Sequence, residues 1–287
     1  FVTDELNVTA GMRYIDETRF TRNTFATANG PFTFEGEGDF SDTLPRFAVS
    51  YDIQNNWNVY ASYARGRRSP VVDANAGGVN ITDAEIVDSF DVGLKYQSAN
   101  FMFTGAMFTY EYSNFQQSFT DPETLQSITV TVGDSSMSGI EGMAVYNHSD
   151  TLTLTGSLGF LDAEFANDTA DGSPFEYGGN KFRLAPEVSG AFNINKLFYV
   201  DAWTVDVNWL TSFQSTVFFE SSNYPGSSQD TYSLTDVSIK LNKNDSQFAY
   251  ELYINNLFDK EYLIDAGNTG GGLGIPVSYT HLRAHET

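Results

Sequence analysis

A chain of 287 residues with 37 acidic against 15 basic side chains carries a formal charge of −22, which repels phosphates and excludes a nucleic-acid partner. It has no cysteine, excluding disulfides and thiolate metal sites, and no apolar run approaches the roughly 18 residues a membrane helix needs. Membrane β-strands need only about 9–11 residues, half of them apolar, so an all-β membrane wall remains open.

Period-two alternation, the mark of a strand with unlike faces, begins at once. Leu6, Val8, Ala10, Met12 and Tyr14 alternate with Asn7, Thr9, Gly11 and Arg13, and no signal peptide precedes them. For an exported protein this predicts that the original N-terminus lies upstream. Past a long link at 16–44, Phe47, Val49 and Tyr51 oppose Arg46, Ser50 and Asp52. A short turn at Gln54-Asn55-Asn56 leads to Trp57, Val59, Ala61 and Tyr63, with Asn58, Tyr60 and Ser62 opposite. Pro70 cannot donate to a ladder and stops pairing within a link at 67–85. Phe90, Val92, Leu94 and Tyr96 then oppose Asp91, Gly93, Lys95 and Gln97. A turn at Ser98-Ala99-Asn100 opens a noisier strand at 101–112.

Beyond a link at 113–125, a segment at 126–146 reads as one strand and turns at Asn147-His148-Ser149. Leu152, Leu154, Leu158 and Phe160 follow, against Thr151, Thr153, Thr155 and Ser157. After a link at 163–182 comes a strand at 183–194, with a turn at Asn195–Tyr199. Trp203, Val205, Val207 and Trp209 lead over a link at 214–230 to a strand at 231–241 and a turn at Asn242–Ser246. The last strand carries Phe248, Tyr250, Leu252 and Ile254, before a final link at 257–276. These make eleven predicted strands and no helix.

Soluble sandwiches share this rhythm, so connection lengths must decide. Short and long connections alternate throughout, as in a meander with tight periplasmic turns and large outer loops. Aromatics close the apolar rows: Trp57 and Tyr63, Trp203 and Trp209, and Tyr14, Tyr51 and Tyr96. Amphipathic rings prefer the two membrane interfaces, so girdles would produce this placement. The expected fold is therefore all-β, an antiparallel transmembrane β-barrel, and a partial one. Strand parity leaves two edges unpaired in lipid, which predicts missing strands upstream and at least one downstream. The domain expectation is barrel over 1–276 and a non-native tail at 277–287. That tail, Val277-Ser278-Tyr279-Thr280-His281-Leu282-Arg283-Ala284-His285-Glu286-Thr287, resembles one translated frame of a common sequencing adapter.

Four motifs then stand in order. Asn58-Val59-Tyr60-Ala61-Ser62-Tyr63-Ala64-Arg65-Gly66 with Arg68-Ser69-Pro70 is similar to a Tyr-Ala-Ser-Tyr-Ser-x-Gly-Phe-Arg-x-Pro segment, with Arg67 for the usual aromatic. Ser89-Phe90-Asp91-Val92-Gly93-Leu94-Lys95-Tyr96 resembles a Glu-x-Gly-x-Lys strand, with Asp91 for Glu. Ser138-Gly139-Ile140-Glu141-Gly142 resembles the Gly-Val/Ile-Glu strand that follows. Asn255-Asn256-Leu257-Phe258-Asp259-Lys260-Glu261-Tyr262 resembles an Asn-Leu-Phe-Asp-Lys-x-Tyr signature before a last strand. Together they resemble the barrel of TonB-dependent receptors. The resemblance implies a barrel of about 22 strands closed by an N-terminal plug, of which this chain would carry strands eleven to twenty-one. Tyr60, Tyr63, Pro70, Gly93, Lys95, Gly139, Glu141, Asn256, Leu257, Phe258, Asp259 and Tyr262 are read as structural, with Lys95 and Glu141 facing the lumen.

No nucleophile with a nearby base, no metal site and no cofactor site emerges. His148 sits in a predicted periplasmic turn, and Glu35/Glu37 and Asp162/Glu164 lie in acidic loops, where a Ca²⁺ role stays open. Gly270-Gly271-Gly272-Leu273-Gly274 reads as a loop tip, not a phosphate loop. Candidate ligand contacts are Phe115, Phe175, Tyr177, Phe218, Phe219 and Tyr224, with Arg67 and Arg68 for an anionic group. The expectation is import of a scarce large solute, foremost a ferric siderophore, across the outer membrane of a Gram-negative bacterium. Its expected partners are outer-membrane lipid and TonB with its inner-membrane energising complex. A cobalamin, haem or oligosaccharide importer, a porin and an adhesin are the alternatives.

Overall fold

The computed structural model describes residues 4–27, 30–54, 56–75, 78–120, 127–166, 177–243 and 248–266. The adapter-like tail, Gly270–Gly274 and Phe175 lie outside them. Eleven long strands form one antiparallel sheet in which each pairs with the next long strand along the chain. They are β1 (Leu6–Thr27), β2 (Gly30–Gln54), β3 (Trp57–Arg68), β6 (Glu85–Gln97), β7 (Phe101–Ser113), β10 (Ser135–Ser149), β11 (Leu152–Phe165), β12 (Val188–Val200), β13 (Trp203–Gln214), β16 (Tyr232–Lys243) and β17 (Ala249–Ile254). Three small hairpins fill the long connections: β4 (Val71–Asn75) with β5 (Gly78–Thr82), β8 (Gln116–Thr120) with β9 (Ser127–Thr131), and β14 (Val217–Phe218) with β15 (Ser228–Gln229).

Register fixes the faces, because directly paired residues point the same way. Tyr51 pairs with Leu6 and Val59, Val59 with Leu94, and Leu94 with Gly105. The apolar rows thus join into one continuous outer surface, and the polar rows join on the inner face. On the outer face Met12 is 77 % exposed, Phe47 55 % and Leu252 65 %. A continuous exposed apolar face of this kind needs an apolar partner, lipid or protein, against it. At the end that carries the short turns, outward rings follow one another around the wall. Trp57 lies 4.6 Å from Tyr96, Tyr96 6.0 Å from Phe101, and Phe101 6.5 Å from Tyr146. His148 continues the row, 5.8 Å from Tyr146.

Glycine recurs where a cross-strand aromatic lies over it. Gly93 pairs with Tyr60, Gly139 with Phe108, Gly156 with Phe192 and Gly190 with Phe213. Each ring covers backbone that a glycine leaves bare, which restores some of the packing a strand glycine forfeits.

Several predicted boundaries move. The supposed link at 16–44 is ladder: β1 and β2 stay paired from Leu6–Tyr51 to Thr27–Gly30. Polar cross-strand pairs continue this hairpin after its apolar row has ended, among them Arg22–Glu35 at 2.6 Å and Thr18–Asp39 at 2.7 Å. The turn expected at Asn195–Tyr199 falls instead between Val200 and Trp203, where Asp201 takes a left-handed φ of 50° that Asp tolerates better than most residues. The strand expected at 183–194 begins only at Val188, and 126–146 divides into β9 and β10.

The motif at the end of β17 is a closed turn. Asn256 and Asp259 both adopt φ 49°. The Asn256 amide donates to the Lys260 carbonyl at 3.0 Å while its side-chain oxygen accepts the Lys260 N–H at 2.8 Å. Asn256→Ala is expected to cost about 1–3 kcal/mol locally, because it strands Lys260 groups and forces alanine into the left-handed region. Accelerated tryptic cleavage after Lys260 would report it. Asn256→Gly, which keeps the backbone freedom, should be milder.

Candidate functional site

The inner face of the sheet offers a polar wall. Asp91 accepts hydrogen bonds from Tyr110 at 3.1 Å and Ser62 at 3.4 Å. Asn193 donates to Asn208 at 2.7 Å and Asn195 to Asp206 at 2.6 Å. Lys95 stands with its ammonium 5.4 Å from the Tyr60 ring, a cation–π contact. A concavity of about 490 Å³ is lined by Tyr60, Lys95, Thr104, Glu141 and Ser157 among others. Three of the motif residues, Tyr60, Lys95 and Glu141, therefore share one inward-facing area.

Above the wall the loops fold over one another. Thr21 and Asn23 on the inner face of the tall hairpin donate to the Val72 and Ala74 carbonyls of β4, at 2.5 and 2.7 Å. Side chains from β4 and β5 fill the space that Gly36 leaves free: an added Cβ there would stand 2.8 Å from Val79 and 2.9 Å from Val72. Asp73 accepts the Thr129 N–H at 3.0 Å, and Thr82 and Asn80 donate to the Thr129 carbonyl. Gln116 ties β8 back by donating to Asp83 and Ser69 carbonyls, at 2.8 and 3.1 Å. Three hairpins are thus layered from the wall inward.

The expected ligand residues are placed as follows. Arg67, with only 2 % of its side chain exposed, is held by Asp42 and by Glu17 at 2.5 Å. Two carboxylates already neutralise it, so it offers little to an external anion. Arg68 is half exposed, donating to the Gln116 carbonyl at 3.1 Å and lying 3.6 Å from Glu85. Phe115 and Tyr177 join one aromatic cluster through Phe165, with centroid distances of 5.3 and 5.6 Å, and Phe182 and Tyr112 complete it. Burial and the nearby Glu220 charge hold the Tyr177 phenol above its ordinary range. Phe219 is 3 % exposed in a second small core with Val217, Ala266 and Leu263. Phe218 is half-buried on β14, and Tyr224 is 47 % exposed on the loop after it.

One loop feature escaped the sequence. Lys181 meets Glu164 at 2.5 Å, Asp162 at 2.8 Å and Glu187 at 3.1 Å. Asp162 and Glu164 thus serve a lysine. No group of three metal-ligating side chains occurs among the described residues. Burial alone would lower the Lys181 ammonium, but its three carboxylate partners outweigh that and raise it. A raised folded-state value means the network stabilises fully below the free-lysine range near 10.4 and is lost as pH climbs above it. Lys181→Met is expected to cost about 1 kcal/mol of local stability, near the upper end for partly exposed pairs. Chymotryptic cleavage after Phe182 should then rise roughly fivefold.

Comparison with known proteins follows the same architecture. Residues 1–257 match a family model described as TonB dependent receptor-like, beta-barrel. The ferric yersiniabactin uptake receptor FyuA from Yersinia pestis superposes with a TM-score of 0.80 at 19% identity, over 93% of this chain and 40% of that one. The siderophore receptor PiuA from Acinetobacter baumannii gives 0.70 at 19% identity, over 91% and 38%. BauA, the ferric preacinetobactin receptor of the same organism, gives 0.68 at 17% identity, over 98% and 39%. The chain thus spans about two fifths of the length of these solved structures.

Proposed function

Because this chain belongs to the TonB-dependent receptor family through its β-barrel, we propose that it is part of an importer that carries a ferric siderophore across the outer membrane of a Gram-negative bacterium. Residues 1–276 form the C-terminal part of the barrel wall in this reading, and 277–287 are foreign to it. The carrying observation is the family match over 1–257 on a sheet whose register gives one apolar and one polar face throughout. An apolar outer face meets lipid, and a polar inner face is suited to surround a hydrated plug.

The mechanism needs no covalent step. The solute docks among the outer loops and on the plug, and force transmitted from the inner membrane through TonB rearranges the plug to open a path. Polar side chains such as Tyr60, Lys95, Asp91 and Glu141 form the wall the plug slides against. Half-exposed Arg68 and exposed Tyr224 are the loop candidates best placed to meet solute, whereas Arg67 and Phe219 hold the loops in shape.

The test is uptake of ⁵⁵Fe-loaded siderophores by cells with and without the intact gene, each in a strain with or without TonB. Loss of uptake in either deletion is expected. Uptake that depends on the gene but ignores TonB would point to a passive porin. Gene-dependent growth on haem, cobalamin or an oligosaccharide, with no effect on iron sources, would move the substrate class.

A further inference from the structure

We propose that the periplasmic rim of β12, β13 and β16 binds the headgroup phosphates of anionic glycerophospholipids. The observation is a difference in how outward-facing cations are partnered. On the outer-loop side Arg22 pairs with Glu35 at 2.6 Å and Arg65 with Asp88 at 2.7 Å. On the periplasmic side the two outward cations are Lys196 and Lys243. Lys196 shares its face with Phe198 and Ile194, and Lys243 lies opposite Trp203. Neither has a carboxylate within ion-pairing distance among the described residues. What sets Lys196 and Lys243 apart is that both face outward on the same rim, beside apolar side chains, with no carboxylate among the described residues to hold them.

Each ammonium is instead aimed over an aromatic ring. Lys196 Nζ lies 5.5 Å from the Phe198 centroid and donates one hydrogen bond to Thr151 Oγ1 at 2.8 Å. Lys243 Nζ lies 5.9 Å from the Trp203 centroid, and that indole is 6.4 Å from Tyr250. A ring fixes the position of the charge without neutralising it, so the remaining N–H donors stay available. Between the lysines the outer face is apolar: Phe198 pairs with Val205, and Val205 with Leu241. Phe198 is 47 % exposed and Tyr250 60 %. Asp150, in the turn between β10 and β11, and Asp201, in the turn between β12 and β13, form no ion pair with either lysine.

Apolar surface running up into the hydrocarbon with a free cation at the headgroup level fits one occupant, a lipid whose acyl chains lie on the strands and whose phosphate reaches the lysine. The lysines sit on strands two apart and at different heights, so each takes its own phosphate, and their effects should multiply.

This inference rests on the outer-membrane reading above, and the experiment separates the two. The full-length receptor is purified from outer membranes into detergent. It is then exposed to equimolar phosphatidylglycerol and phosphatidylethanolamine of the same acyl composition, and retained lipids are counted by native mass spectrometry. Wild-type protein should retain phosphatidylglycerol preferentially. Lys196→Gln and Lys243→Gln should each reduce that preference about fivefold, and the double variant roughly twenty-five-fold, whereas Lys→Arg at both positions keeps it. Equal retention of the two lipids by wild type, or an unchanged preference in the double Gln variant, overturns the proposal. So does loss of the bound lipid to millimolar inorganic phosphate, which would show a phosphate site indifferent to acyl chains. Heat-modifiable electrophoretic mobility checks that each variant folds. A protein absent from the outer-membrane fraction would instead defeat the functional reading.

Discussion

Replacing Leu158 with arginine is expected to destabilise the folded barrel by about 2–4 kcal/mol, while the same replacement at its neighbour Ser157 leaves it nearly unchanged. Leu158 lies on the outer face of β11, paired with Gly142 on one side and Gly190 on the other, and is 43 % exposed. In the assembled barrel that exposure is to hydrocarbon. A guanidinium on the lipid face costs about 2–4 kcal/mol at the bilayer midplane, and less towards the interfaces. Ser157 pairs with Met143 and Ala191 on the opposite, inward face. Arginine there meets water or plug, so the expected cost is within about 0.5 kcal/mol. Urea titration of protein folded into lipid vesicles, read by heat-modifiable mobility, measures both. Equal tolerance at the two positions would remove the lipid assignment of the faces.

Gly139→Val should be the second severe lesion, and it should resist rescue. A Cβ at Gly139 would sit 2.5 Å from the Phe108 ring and 2.6 Å from the Phe160 carbonyl oxygen. The ring can swing aside, but the carbonyl belongs to β11 backbone and cannot move without disturbing the ladder. Overpacking costs about 1–3 kcal/mol even where side chains can yield, and more is expected here. At Gly93 the three atoms nearest the added Cβ all belong to the Tyr60 side chain, which can swing aside. Tyr60→Ala should therefore restore most of the stability lost in Gly93→Ala, while Phe108→Ala should restore little in Gly139→Val. Double-mutant cycles in the same urea assay decide this. Equal rescue at both glycines would show that the aromatic roof, not the backbone, sets the constraint.

The sequence carried the sheet well, because period-two alternation and connection parity depend on local pattern. Its failures were cases where pattern and structure part. The ladder at 16–44 was invisible because Arg22, Glu35, Thr18 and Asp39 make a hairpin whose outward face is polar once it leaves the lipid. The turn at Asp201 was set by one left-handed residue, while Asn195, which suggested a turn, instead lies in the ladder opposite Asn208 and donates its side-chain amide to Asp206. Arg67 looked available because its carboxylate partners lie 25 and 50 residues away in sequence. Lys181 drew no reading at all, and two of its three partners, Asp162 and Glu164, come from β11 rather than from its own segment. Charge is legible from composition, but whether it is already neutralised depends on contacts between distant segments.

The tall β1–β2 hairpin carries paired strand far beyond the apolar band. From Tyr14, where the apolar row ends, thirteen more residues lead to Thr27, and at about 3.3 Å each they amount to roughly 40 Å of paired strand. Bound along its inner side by β4, it stands as a braced mast on one side of the entrance. A bulky probe attached along the upper hairpin would therefore stand well clear of the apolar band.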